Sequence, residues 1–148
     1  PRLVNNKTIP YSLTAILVSI GIVYCLVASD EYQGAKESSS FGIDGETSEQ
    51  LFETTFFSAI ALVNFGLAAW VFTSKRSVLP YISSGVVSAA LIVTYIASRT
   101  VGVPIVGVEY YVGKLDIISK VLQISAIALS TVAIYKFRNL KIVKGLVR

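Results

Sequence analysis

The sequence predicts an all-α integral membrane four-helix bundle, a single transmembrane domain over residues 1–148 with both termini in the cytoplasm. Three observations predict it. Only 15% of the 148 residues are charged against 53% hydrophobic, and the mean hydropathy is +0.67; a soluble domain carries about 25% charged residues. The apolar residues gather into four runs of about 20, each long enough at roughly 1.5 Å per residue to cross about 30 Å of hydrocarbon. The charges, finally, divide by sign between the two ends of these runs. The spans predicted are about 9–29, 54–74, 78–98 and 115–136.

The first run, Ile9 to Ser29, carries no charge. Arg2 and Lys7 before it imitate the flank of a signal peptide, but its apolar core exceeds the roughly 7–15 residues of a signal h-region, so a retained span is expected. Tyr24 before Cys25 also spoils a lipoprotein reading. A polar stretch, Asp30 to Gln50, follows, and Thr47-Ser48-Glu49-Gln50 within it fits a capping box that would open the second helix. That helix runs through Phe57 to Ser74, with Glu53 in the headgroup zone. Only a few residues separate it from the third run, Val78 to Ser98, which predicts a tight antiparallel hairpin. The fourth run, Ile117 to Tyr135, leads into a basic tail.

Orientation follows from the distribution of charge. Arg2, Lys7, Lys75, Arg76, Lys136, Arg138, Lys141, Lys144 and Arg148 fall on one side of the spans. Lys36, Arg99, Lys114 and Lys120 fall on the other with every acid: Asp30, Glu31, Glu37, Asp44, Glu46, Glu49, Glu53, Glu109 and Asp116. The positive-inside rule puts the first side in the cytoplasm and the chain in the plasma membrane as a multi-pass protein. Tyr11, Trp70, Phe72, Tyr81, Tyr135 and Phe137 near that side predict an aromatic belt.

Several chemistries are excluded by composition. Histidine and methionine are absent and Cys25 is the only cysteine, which removes most ligands of copper, zinc, haem and iron–sulfur sites. Cys25, inside an apolar run, reads as a small buried hydrophobe rather than a reactive thiolate. No Ser–His or Cys–His pair and no phosphate-binding glycine loop occurs. No catalytic residue, cofactor, metal or small-molecule substrate is therefore predicted. The tail alternates Lys136, Arg138, Lys141, Lys144 and Arg148 with apolar residues, a pattern for contact with anionic lipid or a partner protein rather than nucleic acid.

Specific chemistry is expected on the outer face. Arg99 closes one span and Asp116 opens the next, where the helix dipole favours a carboxylate and Arg99 would neutralise it. Lys120 lies one turn beyond Asp116, and Glu53 sits at similar depth. Glu53, Arg99, Asp116 and Lys120 are read as a structural polar cluster, the competing reading being an ion or substrate site. Between them runs an apolar loop in which Val103, Pro104, Ile105 and Val106 are candidate partner contacts, since such residues are costly to expose. Asn64, the strongly polar residue near the centre of the second span, is expected to bond a neighbouring helix or its own backbone. Gly85 with Ala89, Ser84 with Ser88 and Ala126 with Ser130 recur at the spacing that permits close helix approach.

The segments Ser98-Arg99-Thr100-Val101-Gly102-Val103-Pro104 and Val112-Gly113-Lys114-Leu115-Asp116-Ile117-Ile118-Ser119-Lys120-Val121-Leu122-Gln123 resemble the loop and fourth helix of a group of small four-span archaeal and actinobacterial membrane proteins with no assigned activity. The resemblance lies within residues 98–123, under a fifth of the chain. A small basic four-span chain of this kind is also similar to the accessory membrane subunits of the archaeal copper-dependent ammonia monooxygenase. That resemblance implies a chain that holds a complex together while other subunits bind copper. The expected function is accordingly a non-catalytic accessory subunit partnered by other membrane proteins and lipid. The alternative is a small oligomeric transporter or channel whose polar path is the outer charged cluster.

Overall fold

The computed structural model describes residues 7–102 and 107–146, with side chains through residue 139. Four helices account for most of them: α1 Thr8–Ser40, α2 Asp44–Thr73, α3 Leu79–Thr100 and α4 Lys114–Leu146. Each is long and apolar enough to cross a membrane, and only 22–39% of each span is buried against the rest of the chain. Apolar faces left open to that degree need lipid around them. We therefore describe the chain as a multi-pass membrane protein.

Each helix turns one narrow seam inward, at alternating spacings of three and four. The seam positions are Leu13, Leu17, Ile20, Tyr24 and Ala28 on α1, with Gly21 and Val23 buried beside them, and Ala61, Asn64, Ala68 and Val71 on α2, with Leu67 buried beside them. On α3 they are Tyr81, Ser84 and Ser88, and on α4 Ser119, Gln123, Ala126, Ser130 and Ala133. This is the spacing of knobs-into-holes packing between nearly aligned helices. Hydrophobicity does not mark these seams, because the lipid-facing positions are equally apolar; on α2, α3 and α4 small and polar residues mark them instead, whereas the α1 seam is mostly large and aliphatic.

Packing is most extensive between α1 and α2, then α3 and α4, then α1 and α4, while α2 and α3 barely meet. The order around the bundle is thus α2, α1, α4, α3, with a seam left open between the two outermost helices. This corrects the expected tight α2–α3 hairpin. A short turn at residues 74–78 does join them, but their outer halves stand apart.

The polar stretch after the first span is also not a loop. α1 has 33 residues and α2 has 30, so at about 1.5 Å per residue both outrun roughly 30 Å of hydrocarbon by 15 Å or more. Their extensions stay paired outside it through buried Ala35 and Ser38 on α1, with the Ser38 hydroxyl donating to Gln50 Oε1 at 3.1 Å. The chain reverses in three residues, Phe41-Gly42-Ile43, where Gly42 takes φ +72°. α2 consequently begins at Asp44, and the expected capping box is not formed. Thr47 Oγ1 donates instead to Ile43 O at 2.9 Å, and Asp44 and Glu46 supply the acids of the first turn.

Two further expectations are corrected. Tyr81 is 1% exposed and packs on Phe137 at 5.5 Å between ring centroids, so it belongs to the core; Tyr11, Trp70, Phe72 and Tyr135 are exposed as a belt requires. Cys25 is exposed rather than buried, because it lies on the side of α1 that faces away from the seam. Of the small residues, Ser84, Ser88, Ala126 and Ser130 are buried and Gly85 approaches Ser130, but Ala89 faces outward.

Gly21 on α1 makes room for the Phe65 ring of α2: a Cβ there would lie 2.6 Å from Phe65 Cε1. Gly21→Ala is expected to cost about 1–2 kcal/mol by overpacking. Gly66→Ala, with nothing within 4 Å, is expected to stabilise by about 0.5–1 kcal/mol through helix propensity. Thermal unfolding of both variants in detergent checks the opposite signs.

Candidate functional site

The open seam holds a cavity of about 350 Å³ between the outer halves of α2 and α3, with Glu109 of the α3–α4 connection in its lining. Phe52, Phe56, Phe57 and Ile60 line it from α2, Leu91 and Tyr95 from α3, and Val23, Tyr24 and Val27 from α1. Its charged lining is Glu53, Arg99, Glu109, Asp116 and Lys120. The four charged residues singled out in the sequence thus meet at one cavity, but they do not form one network.

Arg99 is the hub. Its Nη2 donates to Asp116 Oδ2 at 3.0 Å, and its Nη1 lies 2.9 Å from Glu109 Oε2. The guanidinium also stacks 4.9 Å from the centre of the Tyr95 ring. The Arg99 side chain is only 16% exposed; its Nε has no hydrogen-bond partner among the described residues, and Nη1 meets Glu109 by charge rather than by a well-aligned hydrogen bond. One cation is therefore compensated by two carboxylates, Asp116 on α4 and Glu109 on the connection.

The connection is folded to deliver these carboxylates. α3 ends where Gly102, at φ +80°, donates its N–H to Ala97 O at 2.9 Å. Gly102 then lies against the Gly107 backbone, so closely that a Cβ would come within 2.8 Å of the Gly107 carbonyl carbon. Glu109 N–H donates to Ser98 O at 3.1 Å, which brings the Glu109 side chain beside Arg99. At the start of α4, Asp116 Oδ2 also accepts the Gly113 N–H at 3.0 Å. A third-position carboxylate that takes the N-cap N–H is half of a capping box, so that chemistry serves α4 rather than α2. The candidate contacts Val103, Pro104, Ile105 and Val106 lie outside the described residues.

Lys120 and Glu53 stand apart from this hub. Lys120 Nζ donates to Gln123 Oε1 at 2.9 Å and sits 4.6 Å from the centre of the Tyr95 ring. Glu53 on α2 faces the carboxyl of Glu31 on α1, with no ion-pair partner among the described residues. Behind Lys120 the polar line continues inward: Gln123, fully buried, donates through Nε2 to Tyr24 Oη at 2.8 Å, tying α4 to α1. Deeper still, Asn64 Nδ2 donates to its own backbone at Ile60 O, 2.9 Å away.

Sequence reading missed Glu109, Glu31, Tyr24 and Tyr95 as members of the site. Glu109 and Glu31 were visible only as acids of the outer side. The two tyrosines were hidden because nothing in an apolar run tells which way an aromatic residue turns.

The chain matches no family model, no curated protein and no solved structure. The site therefore rests on its own geometry.

A prediction arises from Gln123. Gln123→Leu removes the α4–α1 hydrogen bond and leaves Lys120 without its acceptor, an expected loss of about 1–2 kcal/mol. Tyr24→Phe leaves the buried Gln123 Nε2–H without its acceptor, so a comparable loss of about 1–2 kcal/mol is expected, and the double variant Gln123→Leu, Tyr24→Phe should lose less than the sum of the two. Unfolding of the three variants in the same detergent, with additive losses as the contrary result, checks the coupling.

Proposed function

We propose that this protein is a non-catalytic accessory subunit of a larger membrane assembly, seated through the open seam between α2 and α3. The observation that carries the reading is the parting of two sequence-adjacent helices around an aromatic and aliphatic cleft. A transmembrane helix of a partner laid in that cleft would bury the exposed Phe52 and Phe56, and its polar ends would find Arg99, Glu109 and Lys120 at the outer rim. The most specific form of the proposal, motivated only by the likeness of a small basic four-span chain to such subunits, is the accessory position in the archaeal copper-dependent ammonia monooxygenase, with copper held by other chains.

A photo-crosslinking residue at position 56, inside the cleft, tests this in native membranes. The expected result is an adduct to one defined membrane polypeptide, while the same residue at position 22, an exposed site on α1, gives none. A protein that purifies alone in mild detergent, with no adduct from position 56, overturns it.

A second reading has an observation of its own: Glu53 and Lys120 line the cavity without belonging to the Arg99 ion-pair hub. A small oligomeric transporter would use them as its polar path. Flux through reconstituted vesicles that falls in Glu53→Gln and Lys120→Gln would favour this reading over the first, and flux unchanged in both variants would remove it.

A further inference from the structure

The end of the bundle opposite the acids carries a second cavity, of about 490 Å³, lined by Lys7, Ile9, Pro10, Lys75, Arg76, Tyr81, Ala133, Lys136 and Phe137. We propose that it is a binding site for the phosphate headgroup of an anionic membrane phospholipid in the adjoining leaflet.

The argument starts from charge. Four cations border one cavity, and the lining contains no carboxylate. None of the four has an ion-pair partner among the described residues, where both ion pairs belong to Arg99. Cations gathered in this way repel one another unless an anion sits between them. The sorting of lysine and arginine to one side of a membrane protein explains why they lie at this end. It does not explain why residues from three separate stretches of chain converge on a single recess: Lys7 before α1, Lys75 and Arg76 in the α2–α3 turn, and Lys136 on α4.

The recess is also built rather than incidental. Lys75 is held in place: its Nζ donates to Tyr11 Oη at 3.0 Å and rests 4.3 Å and 4.5 Å from the centres of the Tyr11 and Phe72 rings. Its carbonyl accepts from the Tyr81 hydroxyl at 3.4 Å. The floor is apolar, formed by buried Pro10, Tyr81 and Ala133 with Ile9 and Phe137 beside them. A basic rim over an apolar floor, placed where a span leaves the hydrocarbon, fits a phosphate joined to acyl or isoprenoid chains better than a freely dissolved anion.

The test uses the full-length protein in a neutral detergent, titrated with phosphatidylglycerol and, separately, with phosphatidylcholine of the same chains. Retained lipid is read by native mass spectrometry and stabilisation by thermal unfolding. The wild type is expected to retain phosphatidylglycerol at least about tenfold better than phosphatidylcholine. The double variant Arg76→Gln, Lys136→Gln is expected to lose roughly thirtyfold of that affinity, about fivefold for each cation removed. Lys36→Gln with Lys114→Gln removes the same charge from the opposite end and is expected to leave binding unchanged. Should the first double variant fail to show native helix content by circular dichroism, Lys7→Gln alone, at an exposed residue before α1, is expected to weaken binding severalfold. Equal retention of the two lipids, equal losses in the two double variants, or displacement by inorganic phosphate at the lipid's own concentration would each overturn the proposal.

Discussion

Arg99→Gln is expected to lower the stability of the protein by about 3 kcal/mol or more, the usual consequence of removing one partner from a largely buried charge pair. The guanidinium is 16% exposed and is the shared counter-charge of Glu109 and Asp116. Without it two carboxylates face each other at the mouth of an apolar cavity, and α3 loses its bond to the first turn of α4. The double variant Arg99→Gln, Asp116→Asn should recover part of the loss, because one of the two opposed charges goes with it. Asp116→Asn alone keeps an oxygen for the Gly113 N–H and is expected to cost less than Arg99→Gln. Denaturant unfolding in detergent measures all three, and a loss below about 1 kcal/mol for Arg99→Gln would show that the hub behaves as an exposed ion pair.

Gly102→Ala is the second large effect, an expected loss of about 3 kcal/mol. Part is conformational: a φ of +80° costs an L-residue roughly 1–2 kcal/mol. The remainder is spatial, since the added Cβ would lie 2.8 Å from the Gly107 carbonyl carbon, and backbone cannot swing aside as a side chain can. Gly42→Ala separates the two contributions. Its φ is +72°, and a Cβ there would meet nothing within 4 Å, so about 1–2 kcal/mol is expected. Equal losses at the two glycines would show that the close approach at Gly102 carries no energy. Because that approach places Glu109 beside Arg99, Gly102→Ala should also weaken the hub, and its loss should shrink in the presence of Glu109→Gln.

How much of this was legible beforehand depended on the kind of question. Polar and small residues inside apolar runs were partly informative: Asn64, Ser84, Ser88, Ala126 and Ser130 are buried, whereas Ala89 faces outward and the exposed Thr94 and Thr131 satisfy their hydroxyls on their own helix backbone. A polar atom is costly against lipid and is turned inward or bonded to its own helix. Apolar residues were not informative in the same way, because lipid and the interior accept them equally. Tyr81 was therefore placed in the belt and Cys25 in the core, each the reverse of where it lies. The ends of helices were misjudged for a related reason. Asp30 to Ser40 is polar and looks like a loop, yet Glu, Gln, Lys and Ala are good helix formers, and buried Ala35 and Ser38 keep that turn-rich composition helical well beyond the hydrocarbon.

The amino-acid sequence alone determined that there are four helices able to cross a bilayer and that acids and bases gather at opposite ends of them. Both are sums along the chain, hydropathy against membrane thickness and charge against position, and neither needs to know which residues touch. Only the tertiary structure decided that α2 and α3 stand apart, that Glu109 joins Asp116 on Arg99 while Glu53 turns to Glu31, and that four cations share one recess at the other end. Those outcomes depend on the rotation of each helix about its own axis. In chains apolar on every side, that rotation is set by how the seam residues of neighbouring helices pack rather than by any contrast between a wet face and a dry one.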